Sequence, residues 1–531
     1  MEPRATLPTH EVTNQPPEPG DIDLWSTDPV LRDHAAGADA DLLARYGRAL
    51  GLRETRDAAR EAERCGPELR VFDRGGRRLD EVVYPGGYHR LMELGLGAGY
   101  AAGPWSGGSH LTHAAMVHLH SQIEPGTCCP MTMSYAAVPA LAATPGLAGI
   151  WGPKLATADY DRRVLPVGEK RTVTLGMAMT EKQGGSDVRA NTTRAEPADG
   201  AYRLHGHKWF CSAPMSDGFL TLAQAPGGLS CFLVPRWTEE GRNAIHLMRL
   251  KDKLGNRANA SAEIEYHGAR AHLLGEEGRG VAKIIEMVHH TRLDTAMAPA
   301  GLMRAALAEA HRWTAFRTAF QRRLIDQPLM RRLLADLTLD MEGAVALGLR
   351  VARSFDDRSA RPFARIAVAL AKFLNNKLCP TVVYEAMEAL GGQGYTADTA
   401  LPMLYREAPL NSIWEGSGNI ICLDILRTLA RDPAAAEALA ENLEASTGRL
   451  ASYDAALAAH RDLWRGLPDE ADARRFAEET ATLLTAAVLI ERAPPAVAEA
   501  YAATRLGQRG RLAGSVAMQD PGAVLARLGE G

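Results

Sequence analysis

The chain is expected to be mainly α-helical, with a central antiparallel β domain and a helical C-terminal extension. Three observations predict this. Apolar residues recur at helical spacing over most of the 531 residues. A middle stretch switches to two-residue alternation. The final segment is alanine-rich and again helical in pattern. The length exceeds what one hydrophobic core supports, so several domains are expected. The changes of pattern divide the chain into 1–165, 166–280, 281–430 and 431–531.

Residues 1 to 20 read as an extended arm, because prolines remove helix donors. In "DADLLARYGRAL", Leu42, Leu43, Tyr46 and Leu50 form one stripe at spacings of three and four. Glycine and proline clusters at 85–87 and 102–108 punctuate the helices that follow. In "RTVTLGMAM", Val173, Leu175, Met177 and Met179 alternate as on a half-buried strand. "FLTLAQAPGGLSCFLVP" places two apolar runs around a turn, which predicts a hairpin. "NAIHLMRL" and "ASAEIEYHGARAHLLG" continue the strand texture.

After Gly280 long helical segments return, with Pro299 as a kink or boundary. Asn419 is the expected cap of "IICLDILRTLA", which puts Glu415 in the loop ahead of a helix N-terminus.

Composition excludes several classes. With 46% hydrophobic and 23% charged residues the chain is ordinary globular protein. A net charge of −4 gives no overall basic signature for nucleic acid. Seven scattered cysteines with no CxxC pair argue against a disulfide framework or a structural zinc site. The N-terminus lacks an apolar signal core and no apolar run suggests a membrane span, so a cytoplasmic location is expected. His110, His113, His118 and His120 fall on more than one helical face and lack the H-E-x-x-H spacing, so no metal site is expected. "GGQGY" at 391–395 is followed by no GK[ST] and is not a phosphate-binding loop of that type.

"MTEKQGGSDV" couples a strand end to hydroxyls and two glycines, suited either to a flat polar ligand or simply to a hairpin loop. Taken with its neighbours it becomes specific. "TEKQGGSD" resembles the TE-x-x-x-GSD segment of the acyl-CoA dehydrogenase family. "GHKWFCSAPMSD", "DKLGNRANAS", "LLGEEGRGVAKIIEMVHHTR", "FRTAFQRRLIDQPLMRRLLADL" and "LGGQGY…LYREAPLNSIWEGSGNI" resemble that family's later motifs in the same order. The arm, "EPGTCCPMTMSYAAVPAL" and the C-terminal extension resemble the branch associated with the adaptive response to DNA alkylation.

The resemblance implies an FAD-dependent oxidoreductase, a homotetramer, with Glu415 as the base that removes the α-hydrogen of an acyl-CoA. It implies flavin contacts from Met179, Thr180, Gly185, Ser186, Trp209, Phe210, Cys211, Arg317, Phe320, Gln327, Gly391, Gly392, Trp414, Gly416, Ser417 and Asn419. Thr180, Ser186, Arg292 and Trp414 are the implied substrate contacts. Arg317 and Arg292 also read as a solvated helix arginine and a salt-bridge partner, respectively.

Four positions depart from the family pattern: Trp414 for tyrosine, Gln321 for glycine, Glu388 for glutamine and Asn259 for serine. The branch further implies double-stranded DNA as a partner, through Arg427, Arg505, Arg509 and Arg511. Composition opposes this: from Thr428 onward there are 11 arginines, no lysine and 15 acidic residues. The alternatives are a DNA-binding flavoprotein with vestigial dehydrogenase activity, or a metabolic dehydrogenase without a DNA role.

Overall fold

The computed structural model describes residues 3–142, 144–507 and 520–529. Short α1 (Pro29–His34) leads into α2 (Ala40–Gly51) and α3 (Arg53–Cys65). The Asp39 side chain caps α2 by accepting from the Leu42 N–H at 2.9 Å, a contact worth about 1 kcal/mol. Leu43, Tyr46 and Leu50 of the predicted stripe are buried, while Leu42 is only partly so. Next comes a hairpin of β1 (Glu68–Phe72) and β2 (Arg78–Val83), turning at Gly76 with φ +80°. This hairpin interrupts an otherwise helical region, and the short alternating runs "ELRVF" and "RLDEVV" that form it flank a glycine turn. Helices α4 (Gly86–Gly97), α5 (His110–Ser121), α6 (Cys128–Ala142) and α7 (Pro145–Leu155) complete the region.

The central sheet has seven strands: β3 (Leu175–Ala178), β4 (Arg194–Ala198), β5 (Ala201–Ser212), β6 (Gly218–Ala225), β7 (Gly228–Pro235), β10 (Ile245–Leu250) and β11 (Ser261–Leu274). A two-residue ribbon, β8 (Trp237–Thr238) with β9 (Gly241–Arg242), lies outside it. The predicted hairpin is present, with Ala225 opposite Gly228 across Pro226–Gly227. The sheet is not purely antiparallel: β3 runs parallel to β6, with Leu175 opposite Gly218, and β4 touches β6 in parallel. β3 enters from the helical region and so arrives in the direction of β6.

The helical layer is built on α8 (Gly280–Phe316), which packs against α5, α6, α9 (Pro328–Asp356) and α10 (Arg361–Ala389). Pro299 does not end α8; the helix continues through it with Pro299 buried. Each fully buried Leu or Met on this helix contributes roughly 1.5–3 kcal/mol. Residues 358–389 are long and apolar enough to cross a bilayer, but 78% of the apolar window is buried within the protein, as in a core helix.

The four histidines of α5 are buried, and each meets a different partner. His110 pairs with Tyr135 at 2.7 Å, His113 with Asp294 at 2.7 Å, His118 with Asp28 at 2.9 Å, and His120 with Tyr46 at 2.5 Å. Burial opposes ionisation of Asp28, yet Arg304 and His118 outweigh it and hold the carboxyl down to about 2.

After α11 (Leu401–Glu407) and α12 (Gly418–Arg431), the extension forms α13 (Pro433–Glu444), α14 (Ala451–Leu463), α15 (Ala473–Arg492), α16 (Pro495–Tyr501) and α17 (Pro521–Leu525). α15 lies against α9 and α10. Arg505 is not a surface residue: its side chain is 2% exposed and binds Asp336 at 2.5 Å and Asp340 at 2.8 Å on α9. It therefore staples the extension to the helical layer and does not face a phosphate. Arg427 is exposed, and Arg509 and Arg511 lie outside the described residues.

Arg505→Ala should cost roughly 3–5 kcal/mol by removing charge that offsets buried carboxylates. Thermal denaturation should show a large drop for Arg505→Ala and almost none for Arg427→Ala.

Candidate active site

Between α11 and α12 the chain makes a short 3₁₀ turn, Leu410–Ser412, and then reverses sharply. Glu415 has φ +56° and Gly416 φ +98°, two consecutive left-handed residues. Such a conformation costs a non-glycine residue on the order of 1 kcal/mol, so its surroundings must hold it. Lys372 of α10, 1% exposed, donates to the carbonyls of Asn411 and Gly416, both at 2.9 Å. Arg292 Nε donates to the Glu415 carbonyl at 3.3 Å. Trp414 Nε1 donates to Asn411 Oδ1 at 2.6 Å, and Lys377 to Ser412 Oγ at 2.7 Å.

The Glu415 carboxylate points inward, and Thr291 Oγ1 donates to its Oε2 at 2.7 Å. Its Oε1 receives no hydrogen bond among the described residues. Burial raises its pKa, with Thr291, Lys372 and Arg292 working in the opposite direction. For Lys372, burial and then Arg292 bring the ammonium down to about 7. Arg292 is committed behind Glu415: it binds Asp424 at 2.6 Å, and Arg365 shares that carboxylate at 2.9 Å.

Asn419 does not cap α12. Ser417 occupies the cap position without a side-chain bond, and Asn419 Oδ1 accepts from Arg474 of the extension at 2.8 Å. The extension thus reaches the loop that carries Glu415.

A second group of predicted residues lies at the sheet. Met179 and Thr180 follow β3, and the Trp209 N–H on β5 donates to the Thr180 carbonyl at 2.8 Å. A Cβ on Gly185 would lie 2.3 Å from Thr180 Oγ1, so only glycine lets this loop fold back on Thr180. The Thr180 and Ser186 hydroxyls make no hydrogen bond among the described residues, so both remain available to a polar ligand. Phe210 is 47% exposed, while Cys211 is fully buried, so the structure leaves neither its thiol nor its backbone open for the predicted flavin contact.

The sequence reading missed what anchors this loop. Glu181 is buried against Lys208 Nζ at 2.8 Å and accepts from the Thr192 and Thr193 N–H groups. Burial works against its ionisation, but Lys208 and those donors hold the carboxyl down to about 2.

Other predicted residues lie on separate features. Arg317 precedes a hairpin of β12 (Thr318–Ala319) and β13 (Arg322–Arg323), with Phe320 at its tip and 92% exposed. Phe320 and Gln321 are left-handed, at φ +51° and +64°, so the turn forms without the glycine of the family motif. Gln327 donates to the Ala319 carbonyl at 3.2 Å. Asn14 of the N-terminal arm clasps the hairpin through both Thr318 backbone groups, a contact with no local sequence signal. Gly391 and Gly392 form an exposed turn, and Glu388 beside it accepts from Tyr384 at 3.1 Å. Within the described residues, neither feature is hydrogen-bonded to the Glu415 loop. Asn259, the serine replacement, is buried and donates to Asn256, which in turn donates to Glu407 at 2.9 Å.

These features agree with the comparisons. Residues 176–269 match the acyl-CoA dehydrogenase middle domain and 278–430 its C-terminal domain, while 14–162 match the adaptive response protein AidB N-terminal domain. The chain belongs to the FAD-dependent acyl-CoA dehydrogenase family of oxidoreductases. Within that family its similarity to AidB extends over nearly its whole length. It is 43% identical to the putative acyl-CoA dehydrogenase AidB of Escherichia coli, over 94% of this chain and 95% of that one. It is 34% identical to acyl-CoA dehydrogenase family member 11 of Caenorhabditis elegans, over 71% of this chain and 64% of that one. Among solved structures, C. elegans ACDH-11 in complex with C11-CoA superposes with a TM-score of 0.86 at 27% identity, covering 94% of this chain and 95% of that one.

Burial raises the Glu407 carboxyl to about 7. Below the ordinary carboxylate range it is protonated folded or unfolded and costs nothing. As pH rises toward 7 the unfolded chain ionises first, and stability is lost. Glu407→Gln, which keeps an acceptor for Asn256, should match the parent's melting temperature at pH 4 and exceed it at pH 8.

Proposed function

We propose that the protein oxidises an acyl-CoA at its α,β bond, with Glu415 as the base. The observation that carries this is an inward carboxylate on a braced left-handed turn, one oxygen fixed by Thr291 and the other uncommitted. FAD, for which Thr180, Ser186, Trp209 and Phe210 offer hydroxyls and ring surface, supplies the hydride acceptor. Glu415 Oε1 takes the α-proton, and desolvation makes it a stronger base than a solvated carboxylate. In this reading the Glu415 N–H polarises the thioester oxygen. Trp414, larger than the tyrosine it replaces, narrows the acyl space. The C11-CoA held by the C. elegans relative makes medium-length chains the first to test.

Anaerobic mixing of the flavin-loaded protein with acyl-CoAs of increasing length should bleach the flavin for one class. Glu415→Gln should slow bleaching by about 10²–10⁴-fold. Since the base must be ionised, the rate should fall as pH falls, with a midpoint above the usual glutamate value. Full activity in the variant would remove Glu415 from the role of base.

The reading includes a cytoplasmic homotetramer that associates with double-stranded DNA in the response to alkylation. The match of 14–162 to a domain named for the adaptive response supports the role in that response, and the exposed pair Arg427 and Arg431 on α12 offers DNA a basic contact. The acidic balance of the extension and the burial of Arg505 weigh against that region as the contact surface. Duplex binding followed by anisotropy should weaken with salt, and Arg427→Ala should reduce the salt slope by about 1. Salt-insensitive or absent binding leaves the metabolic reading alone.

A further inference from the structure

We propose that Lys372 is a positioning residue for the base, tying the carbonyls on either side of Glu415 and so fixing the left-handed turn that presents its carboxylate. This rests on Glu415 being the base. The Asn411 and Gly416 carbonyls face inward, where each requires a donor. One ammonium reaches both, at 2.9 Å each, from a helix that the loop does not otherwise belong to. The ammonium is almost fully buried, which is costly unless its donors are used. The charged groups facing it are Arg292, Glu415 and Lys377. Those facing the Glu415 carboxylate are Lys372 and Arg292, with the Thr291 hydroxyl and the buried Cys129 thiol of α6. Lys372 therefore acts on the base twice, through the shape of its loop and through its charge.

Lys372→Met keeps the length and apolar stem but removes both hydrogen bonds and the charge. Hydrogen–deuterium exchange of the segment 410–418, measured with and without bound flavin, should rise while the rest of α10 exchanges as in the parent. In anaerobic turnover kcat should fall about 100-fold, as expected for a misplaced reacting group, with KM changed less than about threefold. The acid limb of the pH profile should move upward, because a positive charge that favoured the ionised carboxylate has gone. A loosened packing that let water reach Glu415 would move that limb the other way, because burial is what raises its pKa.

If Lys372→Met cannot be purified, Lys372→Gln serves, since a shorter, neutral amide cannot bridge both carbonyls. Raised exchange in 410–418 supports the role, and parent-like exchange overturns it. Parent-like exchange, kcat and acid limb in Lys372→Met would likewise overturn it. Unimpaired activity in Glu415→Gln would instead overturn the assignment of the base, and the exchange data would still judge the clamp.

Discussion

The left-handed turn at Glu415 and Gly416 is the constraint on which the rest of the site depends. A carboxylate at that backbone position is neither cheap nor self-maintaining. It persists because Thr291 and Arg292 on α8 and Lys372 on α10 grip the loop from two directions. Those grips require α8 and α10 to keep their relative placement to within a fraction of an ångström. The apolar packing of α8 against α5, α6, α9 and α10 supplies that rigidity.

Buried charge is spent in the same place. Asp28 with His118 and Arg304, Asp294 with His113, and Asp336 and Asp340 with Arg505 all lie at seams between helices. Such pairs recover their desolvation cost only in good geometry, so they contribute more to register than to net stability. A helix rotated or slid by one position would leave its carboxylates without these partners. The loop after β3 follows the same logic: Glu181 and Lys208 hold it beside the unbonded hydroxyls of Thr180 and Ser186.

The C-terminal extension is a brace before it is anything else. Arg505 fastens it to α9, and Arg474 reaches Asn419 at the start of α12, three residues beyond the glycine of the turn. A region read from its arginines as a nucleic-acid surface uses one of them as an internal staple. The departures from the family motif are also accommodated locally: Asn259 joins a buried ladder to Glu407, and Gln321 adopts the backbone that glycine would have adopted.

Much of this was legible in the sequence, and the reason is local. Periodicity records which face of an element is apolar, so the long helices, the β6–β7 hairpin and the loop ahead of α12 could be read directly. The ordered motifs identified the family and placed Glu415 in that loop. What the tertiary structure decided are the partners. Thr291 meets Glu415 across 124 positions, Lys372 meets Gly416 across 44, and Arg505 meets Asp336 across 169. No local pattern encodes those distances, and none distinguishes a buried arginine from a solvated one. The same holds for Pro299, kept helical by its packing, and for β3, made parallel by the direction from which it enters. Sequence determined which groups could do the chemistry; packing decided which groups hold them in position.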